Sequence, residues 1–340
     1  MHNNELTIMK KVFIAILAVA AFAACNKAEV VESAPAAAIA FENAFVDNTT
    51  KLAEDITKDN LDDFGVYGTV SKNSNSALIF VNTEVTKSGT AYIYSPVQYW
   101  IEGAQYTFSA YAPYTDRQWA FTPTNASAHN GTLAFDNEAA EGEQDLLFAA
   151  ATRTTASTID AAPTAVSFTF SHLLSKVVFR YTNGFTDNNI TLNVYNVKIN
   201  NAAAEGTIPV TAGVAGEWTG TGNYVRSFGD ALADPADALA NSASVTTEHF
   251  YLIPVERAYN ITFTVDLYQA GVLLATYNHE VNPTIDIEKG KSYSFNATLT
   301  HENVNPDAAQ LYPIVFTVDE VEEWDPASGN VSVPVPDPIP

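Results

Sequence analysis

Val166-Ser167-Phe168-Thr169-Phe170 alternates large apolar residues with small hydroxyl residues. A period of two sends successive side chains to opposite faces of a strand, so this stretch predicts a strand with one face buried and one wet. Tyr106-Thr107-Phe108-Ser109-Ala110, Ile261-Thr262-Phe263-Thr264-Val265 and Tyr293-Ser294-Phe295-Asn296-Ala297 repeat the pattern. Ile190, Leu192 and Val194 alternate, and Tyr195, Val197 and Ile199 continue in the opposite phase, which predicts a bulge or a change of sheet near Val194. Turn-forming clusters punctuate the chain at Ser71–Ser76, Thr122–Gly131, Asn183–Asn189 and Gly213–Asn223. Only 16% of residues are charged, and Thr, Ser, Asn, Tyr and Phe abound. Many short strands of this composition predict an all-β chain built as β-sandwiches. Two stretches break the pattern. Lys51–Asp63, with Leu52, Ile56 and Leu61 on one side, predicts a short helix. Phe228–Ser242, Ala-rich around Pro235, predicts a loop or a broken helix.

Outward from the strands, the N-terminus has another logic. Lys10 and Lys11 precede thirteen unbroken apolar residues, Val12 to Ala24. A bilayer-spanning helix needs about 20, so the run fits the central region of a secretory signal. Ala23-Ala24-Cys25 then reads as the lipobox of a bacterial lipoprotein, with Cys25 the acylated first residue of the mature chain. The expected organisation is a signal peptide over 1–24, a small-residue tether over 25–38, two tandem β-sandwich domains over 39–158 and 159–326, and a Pro-rich tail over 327–340. The domain boundary is set by the weakly patterned Thr/Ala/Ser stretch Ala150–Pro163. Ile39 and Phe41 alternate with small neighbours and predict a short strand just after the tether. In the tail, Val331, Val333 and Val335 alternate, but Pro334, Pro336, Pro338 and Pro340 lack an amide donor and cannot sit in a regular central strand.

Sixteen Lys and Arg against 39 Asp and Glu give a formal charge of −23. Such a chain repels phosphate backbones and anionic headgroups, which argues against nucleic acid and against electrostatic membrane docking. Membrane attachment would rest on the acyl chains of Cys25. With its only cysteine acylated, the chain has no thiol for a disulfide, a zinc site or a redox couple. None of the six histidines has metal-ligand spacing, and neither a nucleophile elbow nor a phosphate loop is present, so no cofactor, metal or catalytic residue is expected. A hydrolase resting on the carboxylates has no positive signal. The acidic runs Asp59–Asp63 and Asp136–Asp145 read as solvated loops, since neither has calcium-loop spacing. His172, flanked by apolar residues, reads as a partly buried histidine with a polar partner. Tyr111, Tyr114 and Trp119 admit two readings: core packing, or a stacking platform for sugar rings on a surface glycan-binding lipoprotein.

Several segments, in order, resemble one family. They are Asn48-Thr49-Thr50-Lys51 with Asp55–Leu61 and Phe64-Gly65-Val66-Tyr67-Gly68; Tyr94–Trp100 running into Tyr106–Pro113; Asp145-Leu146-Leu147-Phe148-Ala149; Val166–Val178; and Phe316–Trp324. Together, behind a lipobox, they resemble the fimbrillin family, surface lipoproteins from which Bacteroidales build pili and adhesins. The resemblance implies transthyretin-like sandwiches and a structural role at the outer membrane. It also implies a trypsin-like cut that removes an N-terminal strand, leaving a groove that a strand of the next subunit fills. On this sequence the cut would follow Lys51, and Ile39, Phe41 and Phe45 would plug the groove beforehand. Val331, Val333 and Val335 would be the donor tail. Partners would be other fimbrillin subunits and a host or bacterial surface ligand.

Overall fold

Val166–His172 is a strand in the computed structural model, with Val166, Phe168, Phe170 and His172 buried and the intervening hydroxyl residues exposed. The structure describes residues 38–46, 60–89, 91–159, 163–232, 238–305 and 314–323. Cys25, Lys51, Val331, Val333 and Val335 lie outside them, as does most of the helix expected over 51–63. No helix occurs among the described residues.

The first strands are β1 (Phe41–Val46), β2 (Asp63–Lys72), β3 (Asn75–Ser88), β4 (Ala91–Tyr94), β5 (Gln105–Ala112), β6 (Trp119–Pro123), β7 (Gly131–Asp136), β8 (Leu147–Thr154) and β9 (Val166–His172). They continue as β10 (Ser175–Asn183), β11 (Ile190–Ala202), β12 (Glu205–Thr211), β13 (Val214–Ala215), β14 (Thr219–Thr221), β15 (Tyr224–Gly229) and β16 (Ser244–Thr246). The last are β17 (Phe250–Leu252), β18 (Arg257–Ala258), β19 (Ile261–Gln269), β20 (Val272–Val281), β21 (Thr284–Ile285), β22 (Lys291–Leu299) and β23 (Thr317–Glu323).

In the first half, β1-β4-β3-β2-β5-β8-β9 run edge to edge and close into a barrel. Its interior takes Phe64 and Val66 from β2, Phe80 from β3, Phe108 from β5 and Phe168 from β9, all buried. Strand β2 is buried on both faces, because a second sheet, β13-β12-β7-β6 with β14 on β12, covers the barrel's outside. Tyr67, Tyr111 and Phe148 of the barrel pack there against Trp119, Phe121, Leu133, Phe135, Ile208 and Val210 of the covering sheet. In the second half, β16-β10-β22-β23, with β17 on β10, faces β15-β11-β19-β20. The core between them is Phe179, Tyr181, Leu192, Val194, Phe263, Val265, Phe295 and Ala297, with others. This half is the sandwich that alternation predicts.

Three local outcomes bear on the sequence reading. The phase change in β11 is a bulge: Asn196 sits at φ +56°, and the register with β19 shifts between Tyr195 and Lys198. The Ala-rich stretch starts inside β15, and Leu232 and Leu239 bridge back to Val194 and Leu192. The boundary expected at 158/159 falls between β8 and β9, both barrel strands that pair through Leu147 with His172. Strand β12, from the second half, pairs with β7, from the first. From Ala38 onward the described residues accordingly group as one compact unit. Weak hydrophobic pattern places the domain boundary within Ala150–Pro163, yet Ala150 pairs with Ser109 inside the barrel wall; small side chains suffice where a strand packs closely on its neighbours.

Gly68 shows that closeness. A Cβ there would lie 2.6 Å from Phe80 Cδ2 and 3.0 Å from Phe108 Cδ1, both on buried rings. Gly68→Ala should therefore destabilise the chain by about 1–3 kcal/mol, read as a lowered urea midpoint; an unchanged midpoint would contradict this packing. In the sandwich, His279 is stacked on Phe263 at 4.9 Å. Burial lowers its pKa to about 4, partly offset by a hydrogen bond with the Val304 backbone. The unfolded chain then binds the extra proton between about pH 6.5 and 4, so stability falls as pH drops through that window. Replacement by His279→Gln should flatten this part of the profile by on the order of 2 kcal/mol, measured by urea unfolding at pH 7 and pH 4.5.

Candidate functional site

The segment from Ala38 into β1 alternates as its sequence predicts: Ala38 and Ala40 are exposed, Ile39 and Phe41 buried. Ile39 is 2% and Phe41 3% exposed. The segment is held on both sides. Ile39 N–H donates to Gln98 O at 2.8 Å and Val166 N–H donates to Ala40 O at 2.8 Å. Ala38 bridges to Tyr99. The Tyr94 hydroxyl donates to Ile39 O at 2.8 Å; burial pushes its pKa up, partly offset by the Gln98 amide, so it keeps its proton for that bond.

At Phe41 the strand lies between β4 and β9, and beyond it the pairing is with β9. Phe41 pairs antiparallel with Tyr92 and parallel with Val166. Glu42, Phe45 and Val46 continue along Ser167, Thr169 and Phe170, with one extra residue bulged out of β1 between Glu42 and Phe45. Strand β1 is thus the one element that joins β4 to β9 and closes the barrel. The Phe41 ring fills its interior. It meets Phe64, Phe80, Tyr94 and Phe108 edge-on at centroid distances of 6.4, 5.6, 5.4 and 6.0 Å, and stacks on Phe168 at 5.7 Å. Each such pair adds roughly 0.5–1.5 kcal/mol to the burial term. Without β1, the facing edges of β4 and β9 would carry unpaired donors and acceptors beside an aromatic trough.

Of the residues singled out by sequence, Ile39, Phe41 and the Phe45 backbone come together along this seam. The lining ring Phe80 has no signal in the sequence, because Asn82, at φ +49°, breaks the alternation around it, and Tyr94 figures only in the family resemblance, with no role as a lining residue.

The aromatic cluster does not form a stacking platform. Tyr111 is fully buried and Trp119 is 4% exposed, and the Trp119 indole donates to Pro113 O at 2.6 Å. Only Tyr114 keeps an open side, and Arg117 lies over its ring at 4.2 Å. The feature that motivated a glycan-binding reading is core packing between barrel and covering sheet. His172 is a buried partnered histidine: its Nδ1 lies 2.7 Å from Asp145 Oδ2, and Asp145 Oδ1 accepts the Leu146 amide. The pair ties β9 to the loop entering β8. Among the described residues no cluster of three or more His, Cys, Asp or Glu could hold a metal ion.

A family model described as fimbrillin-like matches residues 47–311. Among curated proteins, none matches the sequence. The fold is similar to that of a fimbrial protein from Bacteroides vulgatus, with TM-score 0.60 and 15% identity over 85% of this chain and 99% of that one. A cell-adhesion candidate from Bacteroides ovatus aligns at TM-score 0.49 and 20% identity, over 87% of this chain and all of that one. The fimbrial anchor protein Mfa2 from Porphyromonas gingivalis aligns at 0.36 and 11%, over 82% and 95%. The family match covers most of the chain, and the chain belongs to the fimbrillin-like family, as a structural, adhesive protein rather than an enzyme.

Proposed function

We propose that this chain is a pilus subunit exported as a lipoprotein through Cys25 and assembled at the outer membrane by strand exchange. In this reading β1 is a removable plug. A cut after Lys51 falls between β1 and β2 and separates the plug from the frame. A strand of a neighbouring subunit then enters between β4 and β9. It restores the ladder hydrogen bonds and covers the aromatic trough, and the gain from both drives assembly. Val331, Val333 and Val335 are the segment of this chain with donor alternation.

The observation that carries the reading is that one short strand, next to an expected cleavage point, both closes the barrel and seats Phe41 at its centre. The family match begins at residue 47, immediately after β1, which fits a frame whose first strand is separable.

Purified full-length chain treated with a trypsin-like protease should lose the segment before Leu52. Mixed with the fimbrial subunits shed from the same cells, it should then form mixed oligomers visible by size-exclusion chromatography and electron microscopy. Clean cleavage there with only monomers afterwards would overturn the assembly step. Export is tested separately: Cys25→Ser should abolish metabolic labelling by palmitate and release the protein from the outer-membrane fraction. Retention of both label and location would rule out the anchor at Cys25.

A further inference from the structure

The geometry points to a specificity rule for the strand that replaces β1: it must carry an aromatic side chain at the Phe41 position and an aliphatic one two residues earlier, so the valine tail of an identical chain is the wrong donor. This inference rests on the strand-exchange reading and names the partner it would take, a non-identical subunit whose donor strand reads aliphatic–small–aromatic.

The slot is built for a ring. Phe41 sits with its centroid 5.4–6.0 Å from those of Phe80, Tyr94, Phe108 and Phe168, and Phe64 and Phe108 themselves are fully buried. The walls are held by the ladder on β2, β3 and β5 and cannot collapse onto a smaller occupant without moving strands. A valine at this site leaves a void among the rings, and voids in rigid surroundings are costly. The tail offers no ring in register, and its one larger aliphatic, Ile339, would bring Asp337 to the Ile39 position between Pro336 and Pro338. Setting Val331, Val333 or Val335 at the Phe41 position places valine there each time, with Pro334 inside the strand or directly flanking it in the last two registers. Proline has no amide to give, whereas the native segment donates from Ile39 to Gln98 O just beyond β4. Outward positions are small, Ala38 and Ala40, so what distinguishes one donor from another is the inward side chains.

The test uses the full chain cut between β1 and β2, at Lys51 or through a specific protease site placed between Val46 and Asp63. Labelled peptides are then offered and their incorporation followed by native mass spectrometry and fluorescence anisotropy. A peptide spanning Ala38–Val46 should enter. Its Phe41→Val version should bind about 30-fold more weakly, near 2 kcal/mol at 1.4 kcal/mol per tenfold. The tail peptide Asn330–Pro340 should bind at least as weakly as that, and its Val333→Phe, Pro334→Ser version should gain at least tenfold. Entry of the unmodified tail within threefold of the Ala38–Val46 peptide would overturn the rule while leaving strand exchange intact. Failure of the Ala38–Val46 peptide itself to enter would overturn the exchange reading, and the rule with it.

Discussion

One phenylalanine ring determines whether the first half of this molecule is a closed body. Phe41 lies on a strand of six residues, too short to persist alone in water. It stays because the ring is enclosed by Phe64, Phe80, Tyr94, Phe108 and Phe168, and because β4 and β9 take up the backbone on both sides. Burying the side chain contributes roughly 2–3 kcal/mol, comparable to a large part of a domain's net stability. The dependence is mutual. The barrel encloses the ring only while β1 is present, and β1 is ordered only because the barrel exists.

The rest of the fold makes that seam separable from the frame. The covering sheet binds the barrel from outside through Tyr67, Tyr111 and Trp119, on the face away from the trough. The Tyr67 hydroxyl donates to Phe121 O at 3.0 Å, and Thr69 donates to Ala126 O while accepting from the Ala128 amide. Within this cover β12, which follows β11 of the sandwich half in the chain, pairs with β7. The sandwich has its own aromatic core around Phe179, Tyr181 and Phe263. None of these contacts involves β1, so its loss would open two strand edges and leave most of the packing in place. The proposed strand exchange needs this division between a removable piece and a rigid remainder.

Much of this was legible in the sequence, for physical reasons that differ by residue. Period-two patterning found β5, β9, β19 and β22 because each has one face in a core. It also marked a bulge or a change of sheet near Val194, which the structure resolves as a bulge at Asn196, since an extra residue reverses the phase of everything after it. Ile39 and Phe41 were legible as an alternating pair, although their partner Val166 lies far along the chain and no local pattern encodes a parallel pairing at that distance. The same limit hid the covering sheet, whose β7 and β12 come from opposite halves. The end of β8 falls in the stretch Ala150–Pro163, where the domain boundary is expected, because alanines and threonines pack well while carrying little hydrophobic signal. Tyr111 and Trp119 were ambiguous because an aromatic with a polar tip suits either a surface or a core, and only the neighbouring sheet decides.

The central claim is that β1, through Phe41, holds the β4 and β9 edges closed independently of the sandwich half. Native-state hydrogen exchange on Phe41→Ala, compared with the unaltered chain, tests it most directly. Amides of β4 and β9 should lose protection by about tenfold or more, while those of β10 and β22 keep theirs. Unchanged protection at β4 and β9, or an equal loss across both halves, would contradict the account.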